Sequence, residues 1–285
     1  MFKLLCVLAH PDDESLALGG TIARYSRLGV ETSLIVATRG ERGWRGHPSQ
    51  HPGEKALGQI REREVRQASK ALGITHLTFL DYIDGDLDQA DEDEVIAKIV
   101  RIMRRLRPDV VLTFGPDGLY GHPDHIAISQ FTTSAVVCAA DARYAPARGL
   151  EPHRVSKLYY RAATREWLEH YMPVFGEFLM HIDGQERRGQ SWTEWAITTR
   201  LDTRAYWPDV WRAVRCHQTQ IPAEQMLQHL SEADHLRLWG TQEYYRAYSL
   251  VNGGRRAEND LFEGLLVPVA GRYHTPQLIG TGQGA

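Results

Sequence analysis

The chain has 285 residues, a formal net charge of −3 and a pI near 6.5; 42% of its residues are hydrophobic and 24% are charged. These values are typical of a globular protein with one large core, and they give no electrostatic reason to expect binding to nucleic acid or to an anionic membrane. No apolar run reaches the roughly 18 residues of a membrane span. Because the three cysteines stand far apart, as Cys6, Cys138 and Cys216, we expect a cytoplasmic protein without disulfides.

Predicted strands and helices alternate along the first 163 residues. Buried parallel strands form short apolar runs, whereas helices show a period of 3.6 residues and end at glycine or proline. The predicted strands are Leu4–Ala9, Glu31–Thr38, Leu77–Tyr82, Asp109–Gly115 and Lys157–Ala163, and the predicted helices are Ala17–Leu28, Ala56–Leu72, Glu92–Leu106 and Ile126–Arg143. This alternation predicts an α/β fold, namely a Rossmann-like three-layer sandwich with a mostly parallel sheet of strand order 3-2-1-4-5.

Beyond residue 163 the pattern is less regular. Short strands are predicted within Phe175–Asp183 and Glu194–Leu201, and helices at Trp207–Cys216 and Ala223–Trp239. This part carries most of the tryptophans, so we expect it to pack on the sheet. We therefore predict a catalytic core at residues 1–163 and a C-terminal cover of the same domain at residues 164–285, whose glycine-rich end favours disorder.

Polar residues follow the first predicted strand at once, in the sequence HPDDE from His10 to Glu14. Ligands of open α/β sheets bind beyond the carboxyl ends of the strands, so an imidazole beside three carboxylates forms a candidate site there. Acidic residues alone would also suit a helix N-terminus, but that interpretation leaves His10 unexplained. A second cluster, GHPDH at 121–125, follows the fourth strand in the same manner.

The predicted strand order places the two clusters side by side, because strands 1 and 4 are neighbours where the order reverses. The residues expected to meet are His10, Asp12, Asp13, His122 and His125. Two imidazoles and a carboxylate with open positions suit zinc, or less often ferrous iron, and zinc lowers the pKa of a bound water to about 7. The pattern therefore predicts a metal site with hydrolytic chemistry.

The same motifs resemble a known family. AHPDDES and GHPDH, with RERE at Arg61–Glu64 and DGDL at Asp84–Leu87 between them, resemble the LmbE-like, or PIG-L, family of zinc-dependent deacetylases acting on N-acetylglucosaminyl compounds. The resemblance runs in consistent order to His125 and is loose beyond residue 163. By its motifs it implies zinc ligands at His10, Asp13 and His125, a general base at Asp12, an oxyanion-supporting His122 with Asp124 as its partner, Tyr120 near the scissile carbonyl, and sugar contacts from Arg61 and Asp84.

These implied roles agree with the chemistry of amide hydrolysis. An amide needs an activated water, which a metal supplies, and a carboxylate such as Asp12 to take the proton. The tetrahedral oxyanion needs positive charge, which we expect from the metal and from a protonated His122.

The resemblance implies a zinc amidohydrolase that deacetylates an N-acetylglucosaminyl conjugate, with the biosynthesis of bacillithiol-type or mycothiol-type thiols as the familiar setting. An amidase of thiol S-conjugates and a deacetylase of another N-acetylated glycoside remain alternatives. A nucleotide-binding module is disfavoured, because Gly19 and Gly20 come too late for G-x-G-x-x-G. A structural metal site would need a fourth protein ligand. Ferrous iron and a homo-oligomer stay open.

Loops and covers on a rigid α/β scaffold usually supply the variable walls of a pocket. We therefore expect substrate selectivity to lie in the loop at Trp44–Lys55 and in the segment Trp192–His217. CHQTQ, at residues 216–220, weakly resembles a His-x-Ser/Thr-Gln segment of some members of the family, which implies that His217 lies near the mouth of the pocket.

Overall fold

The computed structural model describes residues 1–265, apart from 178, 183, 222–228, 253 and 255, and the backbone of two further short strands. The strands are β1 Lys3–Leu8, β2 Glu31–Thr38, β3 His76–Tyr82, β4 Val110–Phe114, β5 Lys157–Arg161, β6 Leu179–Ile182, β7 Gln185–Arg188, β8 Thr199–Asp202, β9 Thr241–Ser249, β10 Val267–Val269 and β11 Arg272–His274. The helices are α1 Asp13–Leu16, α2 Gly19–Arg27, α3 Glu54–Leu72, α4 Glu92–Leu106, α5 Gly118–Gly121, α6 Pro123–Ala140, α7 Arg165–Phe175, α8 Trp207–Val214 and α9 Glu232–Trp239. The predicted terminal disorder and the start of the helix predicted at Ala223–Trp239 lie outside the described residues.

A seven-stranded sheet in the order β3-β2-β1-β4-β5-β9-β8 organises the fold. The first five of these strands are parallel, and β9 pairs antiparallel with both β5 and β8. The predicted α/β class and the order 3-2-1-4-5 are confirmed. The sheet also continues into β9, which was not predicted because its mixture of tyrosines and charged residues lacks a clear apolar alternation.

Helices cover both faces of the sheet and place β1 at the centre of the core. α4 packs against α6 on one side, while α2, α3 and α8 pack together on the other. Leu5, Val7 and Leu8 of β1 have no exposed surface, and complete burial stabilises each such side chain by about 1.5–3 kcal/mol. Because β1 is buried on both faces, it is a continuous apolar run that ends abruptly at His10.

The chain beyond β5 adds elements to this framework. Helix α7 was not predicted; the hydroxyl of Thr164 caps its N-terminus by accepting a hydrogen bond from the backbone of Trp167 (3.3 Å). β6 and β7 form a separate antiparallel hairpin, and α8 lies where a helix was predicted. No helix among the described residues is long and apolar enough to span a membrane. The division into a core and a cover at residue 163 stays a prediction.

Candidate active site

The carboxyl ends of β1 and β4 bring the two histidine clusters together. The strands pair in parallel, β1 leads through His10 into α1, and β4 leads through α5 into α6. α6 begins at Pro123 instead of Ile126, so His122 is its N-cap residue and His125 lies in its first turn. The rings of His10 and His125 lie 5.1 Å apart, and those of His10 and His122 lie 4.6 Å apart.

His10, Asp13 and His125 place donor atoms close together. Nδ1 of His10 lies 3.1 Å from Nε2 of His125 and 3.8 Å from Oδ2 of Asp13. Nε2 of His125 lies 3.4 Å from Oδ1 of Asp13. Tetrahedral zinc, with bonds of about 2.0–2.2 Å, holds its ligand atoms roughly 3.3–3.6 Å apart. The donor types therefore suit zinc, and two histidines with one carboxylate also suit ferrous iron.

Hydrogen bonds on the far side of each ring orient the two histidines. Nδ1 of His125 donates to the carbonyl of Gly118 (3.2 Å), which leaves Nε2 free of a proton. Burial and the charge of His10 lower the pKa of His125 well below its ordinary value. Nε2 of His10 donates to Asp124 (3.0 Å) and lies 3.1 Å from Asp84. Burial lowers the pKa of His10, but these two carboxylates outweigh that effect and raise it well above its ordinary value.

Asp124 was expected to be the partner of His122, but its carboxylate contacts other groups. It accepts hydrogen bonds from His10 and from the backbone N–H groups of Gly85 (2.8 Å) and Leu87 (3.1 Å). Only the backbone of Asp124 meets His122, by donating its N–H to Nδ1 of that ring (3.1 Å). Partners of a ligand histidine usually set its tautomer and basicity. Asp124 therefore supports His10.

His122 was expected to be a cation, but its surroundings favour the neutral ring. Burial and the charge of His10 lower its pKa to about 4. Because Nδ1 accepts from the backbone of Asp124, the proton of the neutral ring lies on Nε2. A neutral imidazole can still donate a hydrogen bond to a developing oxyanion. The ring of Tyr120 forms T-shaped contacts with the rings of His122 and His125, at centroid distances of 5.9 and 5.2 Å.

Asp12 has a strained backbone and a fixed carboxylate. Its φ angle of 116° lies where residues other than glycine are rare, and such strain costs on the order of 1–3 kcal/mol. Oδ2 of Asp12 lies 3.3 Å from Nη2 of Arg61, which also donates to the carbonyl of Pro11, while Nη1 donates to the carbonyl of Gly40. The backbone N–H of Asp12 donates to Oε2 of Glu14 (3.0 Å).

Arg61 and Asp84 are buried, with 3% and 7% of their surface exposed. Neither lines the pocket described below. The contacts seen for Arg61 are with Asp12 and backbone carbonyls, and Asp84 contacts His10 and the backbone N–H of Arg42. Their role in holding a sugar stays a prediction.

Glu14 and His217 form a buried pair that the sequence analysis missed. Nε2 of His217 lies 2.6 Å from Oε1 of Glu14, and their exposed fractions are 1% and 0%. Burial disfavours charge on both side chains, but their mutual attraction favours it. As a result, the pKa of Glu14 is lowered and the pKa of His217 is raised. His217 thus lies behind Asp12, not at the mouth of the pocket. The only signal was the weak CHQTQ resemblance.

A pocket with a cavity volume of about 130 Å³ adjoins the donor atoms. Asp12, Asp13, His125 and Tyr120 line its polar end. Its apolar wall consists of Leu16, Trp167, Tyr171, Phe175, Leu179 and Ile221, with Arg45 and Gln220 beside it. Arg45 belongs to the loop expected to set selectivity, whereas no lining residue comes from Trp192–His217. The lining therefore extends from the polar donor atoms to an aromatic wall.

The fold and the site define a class. An α/β sheet that brings two histidines and an aspartate together at its switch point, with a further carboxylate beside them, is typical of metal-dependent hydrolases. Residues 5–136 match the PIG-L family, described as GlcNAc-PI de-N-acetylase. A 1D-myo-inositol 2-acetamido-2-deoxy-alpha-D-glucopyranoside deacetylase from Streptomyces scabiei is 34% identical over 291 residues, which cover 92% of this chain and 90% of that protein. The chain belongs to the PIG-L family; the predicted family and the predicted amidohydrolase class, that of deacetylases, are confirmed.

Solved structures share the fold with lower sequence identity. An N,N'-diacetylchitobiose deacetylase from Pyrococcus horikoshii matches with a TM-score of 0.60 and 23% identity, covering 78% of this chain and 72% of that chain. A 4-carboxy-2-hydroxymuconate hydratase from Pseudomonas putida matches with a TM-score of 0.63 and 18% identity, covering 89% and 99%. Because a hydratase shares this fold, the fold alone does not specify deacetylation.

Proposed function

We propose that this protein is a zinc-dependent enzyme that hydrolyses the acetamide of a 2-acetamido-2-deoxyglucopyranoside conjugate. The observation that carries the proposal is the carboxylate of Asp12, which lines the pocket beside three donor groups and is not one of them. The Streptomyces scabiei relative is named for this bond in an inositol conjugate. The three unpaired cysteines support the predicted cytoplasmic location.

His10, Asp13 and His125 would hold the ion. When bound, the ion supplies Lewis acidity at the acetyl carbonyl and lowers the pKa of water. Asp12 takes the proton of the attacking water as the oxygen–carbon bond forms, and it returns that proton to the sugar nitrogen as the carbon–nitrogen bond breaks. Nε2–H of His122 donates to the oxyanion. The remaining proton of the water passes from the acetic acid to the amine, so the products are acetate and the ammonium form of the sugar.

The test separates metal binding from catalysis. Purified protein loaded with zinc or ferrous iron is assayed for amine release from the inositol conjugate, from N,N'-diacetylchitobiose and from a thiol S-conjugate amide. Asp12→Asn should keep one metal ion per chain and lose about 10²–10⁴-fold in kcat, whereas Asp13→Ala should lose affinity for the metal. Asp93→Asn, at an exposed position of α4, is the control. Full activity after chelation, or metal loss in a folded Asp12→Asn protein, would contradict the proposal.

A further inference from the structure

The buried pair of Glu14 and His217 has no part in the mechanism described above, and neither residue lines the pocket. The pair joins α1 to the turn that follows α8, across 203 residues of sequence. Two buried charges are expensive to remove from water unless they are paired and hydrogen-bonded. The contact of this pair with Asp12 suggests a function for it.

The two carboxylate oxygens of Glu14 have different partners. Oε1 faces Nε2 of His217 and the hydroxyl of Ser15, while Oε2 accepts the backbone N–H of Asp12. His217 therefore fixes the orientation of Glu14, and Glu14 in turn holds the peptide of Asp12. Since Asp12 has a φ angle of 116°, its backbone keeps this conformation only where surrounding contacts impose it.

Arg61 acts on the other end of the same residue, because it contacts the carboxylate of Asp12 and the carbonyl of Pro11. The backbone and the side chain of Asp12 are thus held by separate partners. We infer that Glu14 and His217 are positioning residues that hold Asp12 in its strained conformation for proton transfer. This inference rests on the proposed function, in which Asp12 is the general base.

The first test is Glu14→Gln, which preserves the side-chain volume but replaces the anionic carboxylate with a neutral amide. Partners of this kind typically contribute 10- to 100-fold to activity. We expect kcat to fall by about that factor, with KM within about twofold of the wild type and one zinc ion still bound per chain. Glu258→Gln is the matched control. Glu258 is also a buried acid, it pairs with Lys157 at a distance of 2.8 Å, and this pair is remote from the site residues. It should lose stability and keep kcat.

A double-mutant comparison tests whether Glu14 acts through Asp12. In an Asp12→Asn background, Glu14→Gln should cause no further loss of kcat, since there is no base left to position. His217→Gln retains a donor near the place of Nε2 and should keep more activity than His217→Leu; if the leucine variant does not fold, the glutamine variant should still lie between Glu14→Gln and the wild type.

Three results would overturn the inference: full activity of Glu14→Gln, an equal further loss in the Asp12→Asn background, or loss of activity in proportion to loss of zinc. Each of these leaves deacetylation by the wild type intact, so the proposed function survives them. Full activity of Asp12→Asn would instead remove the proposed base and overturn both.

Discussion

His10 uses both of its ring nitrogens in the candidate centre. Nε2 donates to Asp124, and Nδ1 donates to Nε2 of His125. Because the acidic neighbours raise the pKa of His10, this proton is retained near neutral pH. Burial also raises the pKa of Asp13 to about 7. Protons therefore occupy the positions that a cation needs.

Zinc affinity is accordingly expected to rise with pH between about 6 and 8, by about tenfold per pH unit for each displaced proton. Competition with a chromophoric chelator at three pH values measures the slope, and calorimetry in two buffers counts the released protons. Asp124→Asn removes a carboxylate that raises the pKa of His10, so this variant should release fewer protons. An affinity independent of pH would contradict the expectation.

At the scale of elements, α7 supplies the largest apolar wall of the pocket. Trp167, Tyr171 and Phe175 lie four residues apart on one helix face, with ring centroids separated by 4.5 and 4.4 Å. All three line the pocket. Such a stripe favours a substrate with an apolar surface beyond the acetamide.

Tyr171→Ala and Phe175→Ala should therefore lower kcat/KM for an aryl glycoside of N-acetylglucosamine more than for the methyl glycoside, by roughly 1–3 kcal/mol of lost contact for one apolar group. The ratio of the two kcat/KM values is the measurement. Trp195→Ala removes an aromatic side chain that is 70% exposed and outside the pocket, so it should leave the ratio unchanged. Equal losses for both glycosides would show that the wall contacts only the shared sugar.

The packing of α8 against α9 includes a histidine among tryptophans. His235 stacks on Trp207 at 4.4 Å and lies within 5.1 and 5.3 Å of Trp211 and Trp239. Burial lowers its pKa, against the smaller opposing effect of Asp234. The folded state thus prefers the neutral ring of His235. The protein is therefore expected to lose stability as the pH falls below about 6.5, the ordinary pKa of histidine in the unfolded chain.

His235→Phe keeps the aromatic stacking and removes the titrating group. The free energy of unfolding of this variant should therefore fall less between pH 7 and pH 5 than that of the wild type. Urea unfolding followed by tryptophan fluorescence at each pH measures the difference. Parallel pH profiles of the two proteins would show that His235 does not contribute.

At the scale of the whole molecule, the two halves of the chain share one sheet. β9 covers the edge of β5, and Glu258 neutralises the buried Lys157 of β5. A fragment of residues 1–163 would leave that edge open and that ammonium group unpaired. We expect the fragment to aggregate or remain unfolded, whereas a chain of residues 1–265 should fold. Circular dichroism and size-exclusion chromatography of both fragments provide the measurement, and a folded monomeric 1–163 fragment would contradict the expectation.

The sequence predicted the centre of the fold and the meeting of the two clusters because this information is local. Strands such as β1 and β4 are buried on both faces, so they are short apolar runs, and polar residues mark their ends. The contacts of the Asp124 carboxylate could not be predicted, because one of them comes from the backbone N–H of Gly85, which lies 39 residues earlier in the chain. α7 was missed because its pattern is aromatic and contains Pro173.

The spacing of the candidate ligands along the chain also has a consequence for biosynthesis. His10 and His125 are separated by 115 residues, and a ribosome adds about 5–20 residues per second, so roughly 6–23 s pass between the synthesis of the two. During that interval a nascent chain exposes His10 and Asp13 without their third companion. We therefore expect metal binding by the proposed ligands to be a late event, which follows the docking of β4 beside β1 and does not guide the earliest folding.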